Sequence, residues 1–357
     1  MPVSHHTVPQ VYLRQFADRK KRLLAVSRDG NVTEQLTRPN IVRVKDATAI
    51  ENFYTVYTES GEADVDIENH FSDLENNYRP MMDAVRSGRA LCPSDKVRIA
   101  LMAASQESRT VGQIESWSES VESELGIAES LYRENLPNAT DAEITERMRS
   151  YIAARDTTPI LGAHSPRDLA RGYIQPMLAA RFEMFSRMNQ CLLVSRAQNF
   201  ITSDHPVVWI NWVRWPPQSL MDYSSLHLAQ EVTFPLSSRF CILFSYLPVR
   251  DRVELPQEAV SIVNARQAVR SYELFMKPTE LQVVLDRYRD DIFAGDDCVR
   301  GPLWSFCNGE GSITPFFDVV EFLGLDLKDV LRDNIGFIEG LADVEGIEVD
   351  PRVYDQL

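Results

Sequence analysis

Four polar stretches of the sequence combine residue types that can carry acid–base or ligand chemistry. The first is N-terminal, where His5, His6, Gln10 and Arg14 lie before and within a short apolar segment. Histidine exchanges protons near neutral pH and often ligates metals, and arginine suits bidentate contact with phosphate or carboxylate. We therefore expect His6 to be catalytic and His5, Gln10 and Arg14 to bind substrate. The structural alternative is that both histidines belong to a flexible start of the chain.

Two glutamates define the second stretch. Glu68 and Glu75 are seven residues apart, so they share a face if residues 66–87 form a helix. Paired carboxylates can hold a divalent cation or divide acid and base roles. We expect Glu68 to be catalytic, and we take Glu68 and Glu75 as candidate ligands of a divalent metal. The identity of any cofactor is otherwise left open, and two solvated helix charges are the structural alternative.

The third and fourth stretches follow apolar elements. Gln106 and Arg109 are three residues apart at the end of an apolar helix, so their side chains face the same way. Asp204 lies in a polar turn that follows a short apolar strand. We expect these three residues to complete one catalytic site with His6 and Glu68. The alternatives are an arginine bound to backbone carbonyls and an aspartate that caps its own turn.

Familiar catalytic signatures do not narrow the chemistry further. The sequence contains no G-x-S-x-G, P-loop, H-E-x-x-H or dinucleotide-binding fingerprint. Its five cysteines form no C-x-x-C pair, so we expect neither a disulfide framework nor a cysteine-based zinc site. Most of the cysteines are interpreted as small buried hydrophobic residues.

The composition is that of an ordinary folded protein. The 357 residues include 37 Lys and Arg against 52 Asp and Glu, a net charge of −15, and 44% of them are hydrophobic. These values exclude a mainly disordered, collagen-like or coiled-coil chain. No apolar run approaches the roughly 20 residues of a membrane span, and the N-terminus has no signal-peptide pattern. We expect a cytoplasmic protein that does not contact membranes.

Charge is unevenly distributed along the chain. Residues 1–46 hold nine Lys and Arg and four Asp and Glu, whereas residues 318–357 hold three and eleven. A basic head and an acidic tail could attract each other or bind different partners, and solvated surface charge is the plainer alternative. The overall negative charge predicts weak binding to nucleic acid outside an active site.

The elements that must position these stretches alternate between strands and helices. Asp29-Gly30 between two apolar runs predicts a β-hairpin, Phe53 to Tyr57 predicts a third strand, and short β-rich runs lie between 191 and 246. This order predicts an α+β fold, with a mixed or antiparallel sheet of N-terminal and central strands covered by a helical middle region. Amphipathic spacing and capping residues predict helices over 66–87, 95–109 with Ser94 as its cap, 112–136, 140–155, 165–189 and 256–276.

Together the four stretches resemble the family called Domain of Unknown Function 4238. The family's N-terminal motif, His-x-x-Pro-x-x-Tyr-Leu-x-x-Phe, is matched from His6 to Phe16. The likeness covers about residues 4–275. The family has no established activity, so the resemblance implies where a site lies without naming a reaction. Its further landmarks are matched by Asn52 to Tyr54 with Glu68 and Glu75, by Gln106 and Arg109, and by Thr202 to Val207 followed by Phe234 to Ser237.

Two kinds of function are consistent with this sequence. The first is a nuclease-like phosphodiester hydrolase in a defence or toxin setting, acting on nucleic acid or a nucleotide. A metal-bound water or a histidine base, with Arg109 neutralising the developing charge, would suffice for this reaction. The second is a non-catalytic binding or regulatory module, in which the polar cluster is structural and the acidic C-terminal region binds a partner protein.

We expect the chain to divide near residue 277. Residues 1–276 form the family-like domain, and residues 277–357 form an acidic extension. Core-type side chains between Ile313 and Leu327 predict that this extension is folded and docked, with a short helix that begins at Gly324 to Asp326.

Overall fold

A computed structural model describes residues 4–27, 40–57, 63–64, 66–153, 170–172, 174–196, 199–210, 231–271, 273–277, 303–312, 328 and 347–348. The predicted hairpin turn at Asp29-Gly30, the helix start at Ser165 and the apolar run 313–327, with its short helix, lie outside these residues. No helix of the described residues is long and apolar enough to cross a bilayer.

The structure is an α+β fold, as the sequence predicts. In chain order the described strands are β1 (Ser4–His6), β2 (Arg22–Ser27), β3 (Asn40–Arg43), β4 (Ala49–Glu51), β5 (Val56–Tyr57), β6 (Ala63–Asp64), β7 (Asn189–Ser195), β8 (Thr202–Ser203), β9 (Val208–Ile210), β10 (Glu231–Ser237), β11 (Phe240–Ser245), β12 (Arg252–Leu255), β13 (Glu273–Met276), β14 (Gly311–Ser312) and β15 (Ile347–Glu348). The described helices are α1 (Gln10–Leu13), α2 (Asp66–Glu75), α3 (Tyr78–Arg86), α4 (Pro93–Ser108), α5 (Val111–Asn135), α6 (Asp141–Ala153), α7 (Ile174–Arg187), α8 (Gln257–Arg270) and α9 (Trp304–Cys307).

The strands form two principal sheets rather than one. Central strands build the larger sheet, in the order β12-β7-β11-β10-β9, with antiparallel pairs except for β12 and β7. The smaller sheet has the order β3-β2-β13-β8 and is antiparallel throughout, so it joins N-terminal strands to later ones. Strand β7 is buried almost along its whole length, which explains its apolar run from Cys191 to Val194. Strand β10 is also buried throughout, although polar and apolar residues alternate along it.

The sequence prediction is wrong about the boundaries of two helices. The predicted helix 66–87 is two helices, α2 and α3, because Asn77 donates its side-chain amide to the carbonyl of Leu74 and competes with the helix ladder. Helix α4 begins at Pro93 with Cys92 as its N-cap, not Ser94. The carboxylate of Asp95 accepts the N–H of Cys92 at 3.0 Å, and proline is favoured in the first helical turn.

Two other boundaries also differ from the prediction. The strand expected over 53–57 is confined to Val56–Tyr57, because Asn52 adopts φ 53° and turns the chain. The helix expected over 256–276 ends at Arg270, and its last residues form β13, since Leu274 to Met276 pair with β2. The helix expected over 140–155 spans Asp141–Ala153, and Thr140 and Glu143, whose S/T-x-x-E spacing predicts a capping box, form one: the Thr140 N–H is donated to the Glu143 carboxylate at 2.8 Å.

Helix α4 is the central element of the fold. Ile99, Ala100, Ala103 and Ala104 have no exposed surface, and the helix packs against α2, α3, α5 and α7. Helix α5 follows directly after Arg109 and Thr110, and its buried residues, Ile114 and Val121, lie in its first half. The second half of α4, from Ile99 onward, is buried on nearly every side, so the polar residues at its end are buried too, which places the third predicted stretch inside the protein.

A short C-terminal segment lies against the larger sheet. The carboxylate of Glu231 on β10 accepts the N–H groups of Leu303 and Trp304 at 3.0 and 2.6 Å, at the start of α9. The same carboxylate is 2.7 Å from the guanidinium of Arg266, and neither side chain has exposed surface. The indole N–H of Trp304 is donated to the carbonyl of Pro248 at 2.7 Å. A boundary at residue 277 and a separable extension remain predictions.

Candidate functional site

Six consecutive polar residues are buried at the junction of α4 and α5. Residues 105–110, with the sequence Ser-Gln-Glu-Ser-Arg-Thr, are each at most 2% exposed. Buried polar groups need partners, and these residues find them on two sides of the helix end. Arg109 faces the N-terminal segment and α2, whereas Glu107 faces α7 and the turn after β8.

Arg109 is bound by a carboxylate, a backbone carbonyl and an aromatic ring. Its Nη1 donates to Glu75 Oε1 at 2.9 Å, and its Nη2 donates to the carbonyl of His6 at 2.5 Å. The guanidinium carbon lies 4.3 Å from the centre of the Phe71 ring, a cation–π distance. The Tyr54 hydroxyl closes the arrangement by donating to the Arg109 carbonyl at 2.6 Å.

His6 and Gln106 meet Arg109 through the N-terminal backbone. Gln106 donates its amide to the carbonyl of Thr7 at 3.2 Å, next to the His6 carbonyl that Arg109 binds. The His6 ring is held between the Ala47 carbonyl, 3.3 Å from Nδ1, and the Gln10 side chain, 2.8 Å from Nε2. Burial lowers the pKa of His6, with help from Arg109. The structure therefore brings His6, Gln106 and Arg109 together, because the side chains of Gln106 and Arg109 both donate to carbonyls of the N-terminal backbone.

The three residues predicted to bind substrate have different surroundings. His5 is fully buried, its ring stacks on Tyr54, and its Nδ1 accepts the Tyr54 N–H at 2.8 Å. Burial lowers the pKa of His5, and the charges of Arg171 and Arg109 lower it further. Gln10 contacts the His6 ring, and Arg14 in turn donates to Gln10 Oε1 at 3.2 Å in an exposed position. These contacts lead from the His6 ring to the surface.

The two predicted metal ligands flank Arg109 instead. Glu75 forms the ion pair with Arg109, and its side chain is 30% exposed. Burial raises the pKa of Glu68, against the effect of Arg109, and Glu68 Oε2 has no hydrogen-bond partner among the described residues. Within the described ranges no group of three or more His, Cys, Asp or Glu side chains could hold a metal ion. The guanidinium supplies the positive charge between these carboxylates, which disfavours a divalent cation at this position.

A surface cleft opens on the other side of the α4 end. Its volume is about 220 Å³, and it lies between the first turns of α5 and the segment that leads from β8 into β9. Its lining residues are Gly112, Gln113, Ser116, Asp204, His205, Val207, Val208 and Trp209. Among the predicted catalytic residues, Asp204 therefore lies at this surface cleft. It is separate from the group of residues around Arg109, which we call the Arg109 cluster (His6, Glu75, Gln106 and Arg109).

The cleft contains a histidine with a buried carboxylate beneath it. Nε2 of His205 is 3.7 Å from Oε2 of Glu107, and the His205 side chain is 22% exposed. The other carboxylate oxygen of Glu107 is 3.5 Å from the guanidinium of Arg181 on α7, which is buried and lies over the Trp117 ring. Burial lowers the pKa of Arg181, with the Glu107 charge acting against that effect. This array places a buried carboxylate at ion-pair distance from a partly exposed imidazole, a separation longer than a hydrogen bond.

Asp204 is tied to the smaller sheet by its backbone and its carboxylate. Its N–H is donated to the Glu273 carbonyl at 3.0 Å, and its Oδ1 accepts the Glu273 N–H at 3.2 Å. Ser203, the preceding residue, donates its hydroxyl to Gln267 at 2.8 Å and accepts the His205 N–H at 3.1 Å. These hydrogen bonds fix the backbone of the turn, so Asp204 and His205 line the cleft from a rigid segment.

Sequence reasoning missed Glu107, Arg181 and His205. Glu107 stands between two residues that were selected, and an acidic residue within an apolar helix was the signal that could have identified it. His205 lies next to Asp204 in the same turn. Arg181 could not be connected to them, because its contact with Glu107 spans 74 positions of the chain.

Comparison with known protein families identifies one match. The sequence model described as Protein of unknown function (DUF4238) matches residues 4–278. The chain belongs to the DUF4238 family. Comparisons with curated proteins and with solved structures find no match. The DUF4238 region contains both the Arg109 cluster and the His205 cleft, whereas α9 lies beyond it.

Proposed function

We propose that the chain is a phosphodiester hydrolase and that its reaction takes place in the His205 cleft. The observation that carries the proposal is the array of His205, Glu107 and Arg181, in which an accessible imidazole is backed by a buried, ion-paired carboxylate. Hydrolysis of a phosphodiester needs a base for the attacking water or hydroxyl and a means of stabilising charge on phosphorus.

His205 is the base in this proposal. In this proposal His205 carries its proton on Nε2, the nitrogen that faces the Glu107 carboxylate at 3.7 Å, and Nδ1 takes a proton from the nucleophile. This nitrogen lies beside the start of α5, where a Cβ atom added to Gly112 would come within 3.9 Å of it. The imidazolium formed on His205 then returns its proton to the leaving oxygen, which balances the reaction. Asp204 lines the same cleft with a carboxylate whose Oδ1 accepts the Glu273 N–H, and it keeps its catalytic role by positioning the attacking water.

The start of α5 supports an anionic substrate. Gly112 and Gln113 occupy its first turn, where backbone N–H groups lack acceptors within the helix and the helix dipole favours negative charge. The cap residue Thr110 does not use its hydroxyl to cap the helix. A phosphate group at this turn would lie next to His205, which is the geometry that the reaction requires. Trp209 offers an aromatic face in the cleft for a nucleobase.

The other predicted catalytic residues take a supporting role in this proposal. His6, Gln106 and Arg109 are occupied by contacts within the protein, and they hold the end of α4 from the side opposite to the cleft. Glu68 lies with them. A divalent metal, a protein partner for the acidic C-terminal region and a setting in defence or toxicity remain proposals that rest on the sequence.

The proposal is tested with the purified chain and a panel of phosphodiesters. The panel contains bis(4-nitrophenyl) phosphate and fluorescent single-stranded DNA and RNA, each assayed with and without Mg²⁺ or Mn²⁺. We expect turnover that His205→Asn lowers by a factor of roughly 10² to 10⁴, the usual contribution of a general base. His70→Asn is the matched control, since His70 lies on α2 and does not line the cleft. Turnover that is unchanged in His205→Asn would contradict the assignment.

The alternative is a non-catalytic binding module. It is favoured by the contacts of Arg109, whose guanidinium is already engaged by Glu75, the His6 carbonyl and Phe71. Under this alternative no member of the panel is cleaved in any metal condition, while the His205→Asn variant keeps the wild-type melting temperature. The same experiment therefore distinguishes the two functions.

A further inference from the structure

The N-terminal segment Ser4–Thr7 is held like a strap across the end of α4. Strand β1 pairs with β4, and the Thr7 N–H is donated to the Thr48 carbonyl at 3.1 Å. From α4, Arg109 binds the His6 carbonyl and Gln106 binds the Thr7 carbonyl. The two residues of the strap that could change their charge near neutral pH are adjacent histidines.

Both histidines are held in their neutral forms by specific hydrogen bonds. Nδ1 of His5 accepts the Tyr54 N–H, so the neutral ring carries its proton on Nε2, which is buried without a partner among the described residues. His6 has the opposite tautomer, because the Ala47 carbonyl accepts from Nδ1 and Nε2 is left to accept from the Gln10 amide. A second proton on His5 must occupy Nδ1 and break the bond to Tyr54. On His6 the second proton must occupy Nε2, where it meets the N–H that the Gln10 amide donates.

The charges around the strap act on this protonation with different signs. Arg109 and Arg171 face His5 and disfavour a second positive charge, and the two histidines disfavour it on each other. Glu75 and Asp46 face His6 and favour its protonation, although Glu75 is already paired with Arg109. Glu68 titrates in the opposite sense, since burial makes its neutral form more favourable. Burial is the largest effect on both histidines and disfavours their charged forms.

We propose that the strap is an acid-sensitive latch, which holds the end of α4 while both histidines are neutral and releases it when they gain protons. A histidine whose pKa is lowered by folding stabilises the closed form fully above its ordinary pKa of about 6.5. This stabilisation is lost as the pH falls from that value toward the folded pKa. Each histidine then shifts the balance toward release by up to about tenfold per pH unit. The latch needs no substrate, so it does not depend on the proposed hydrolase reaction.

Amide hydrogen exchange on the full chain tests the latch. Protection of the Thr7 and Tyr54 amides, corrected for intrinsic exchange, should fall by at least about tenfold more than that of β11 amides between pH 7.5 and 5.5. His5→Gln should remove much of this difference, because the glutamine carbonyl can accept the Tyr54 N–H without titrating. Glu68→Gln should retain the difference, and His70→Gln is the matched control that should behave like the wild type.

Two results would overturn the latch. One is an equal loss of protection at the strap and at β11, which would indicate global unfolding. The other is a full pH response in a protein that carries both His5→Gln and His6→Gln. If these variants do not fold, the ring C–H signals of the wild type decide the matter by NMR. Both strap histidines should titrate below 6.5, and normal titration of either ring would reject the proposal.

Discussion

Glu231 offers the sharpest test of how the C-terminal segment is attached. Its carboxylate has no exposed surface and accepts from Leu303, Trp304 and Arg266. Glu231→Gln keeps the shape of the side chain, but it removes the charge opposite Arg266 and turns an NH₂ group toward donors. Removing one partner of a buried ion pair costs about 3–5 kcal/mol. We therefore expect the free energy of unfolding to fall by about that amount.

Urea denaturation followed by far-UV circular dichroism measures this change, and amide exchange at residues 303–307 locates it. Glu254→Gln is the matched control, because the ion pair of Glu254 with Arg196 is at the surface. Such a pair contributes about 0–1 kcal/mol. The double variant Glu231→Gln with Arg266→Met should recover part of the loss, since both charges of the pair are then removed. A loss below 1 kcal/mol for Glu231→Gln would refute the reasoning that this carboxylate anchors α9.

Two further predictions concern buried polar groups in the N-terminal half. Tyr12→Phe removes a hydroxyl that lies 2.6 Å from Thr202 Oγ1 and 2.7 Å from the Pro235 carbonyl, so chemical denaturation should show a loss of about 1–2 kcal/mol. A loss near zero would show that water replaces the hydroxyl. Hydrogen bonds from Arg89 lower the pKa of Asp95 to about 2, so its contribution is present above pH 3.9 and is lost as the pH falls toward 2. Asp95→Asn should therefore reduce stability by about 1–2 kcal/mol at pH 7, and the difference from wild type should shrink in urea titrations at pH 3; a constant difference would contradict this origin.

The parts of the fold that the sequence predicts are those determined by local pattern. Thr140 and Glu143 form the expected capping box, and α5 spans nearly the expected residues. The strand at Phe53 fails because a single residue, Asn52, adopts a left-handed conformation that spacing does not reveal. The spacing predicts helix at 273–276, and this is wrong because the strand that pairs with these residues, β2, is about 250 positions away and leaves no local signal.

The candidate site divides in the same way. Side chains on one helix face, such as Gln106 and Arg109, are correctly grouped by their spacing, and both bind the N-terminal backbone, at Thr7 and His6 respectively. Periodicity assumes that a helix has one buried face, whereas the second half of α4 is buried on nearly every side. It therefore gives no reason to select Glu107, whose partners come from α7 and from the turn at His205.

Only Arg109 and Thr110 separate the end of α4 from the start of α5, so any change in the angle between the two helices occurs at these residues. Helix α5 has 25 residues, so it is about 37 Å long at 1.5 Å per residue. A tilt of about 5° at its base would move its far end, and the start of the paired helix α6, by about 3 Å. Both the strap and the cleft contact this base. A small change of structure at the strap or at the cleft that tilts α5 would therefore move the α5–α6 connection by an amount that spectroscopic labels placed there can detect.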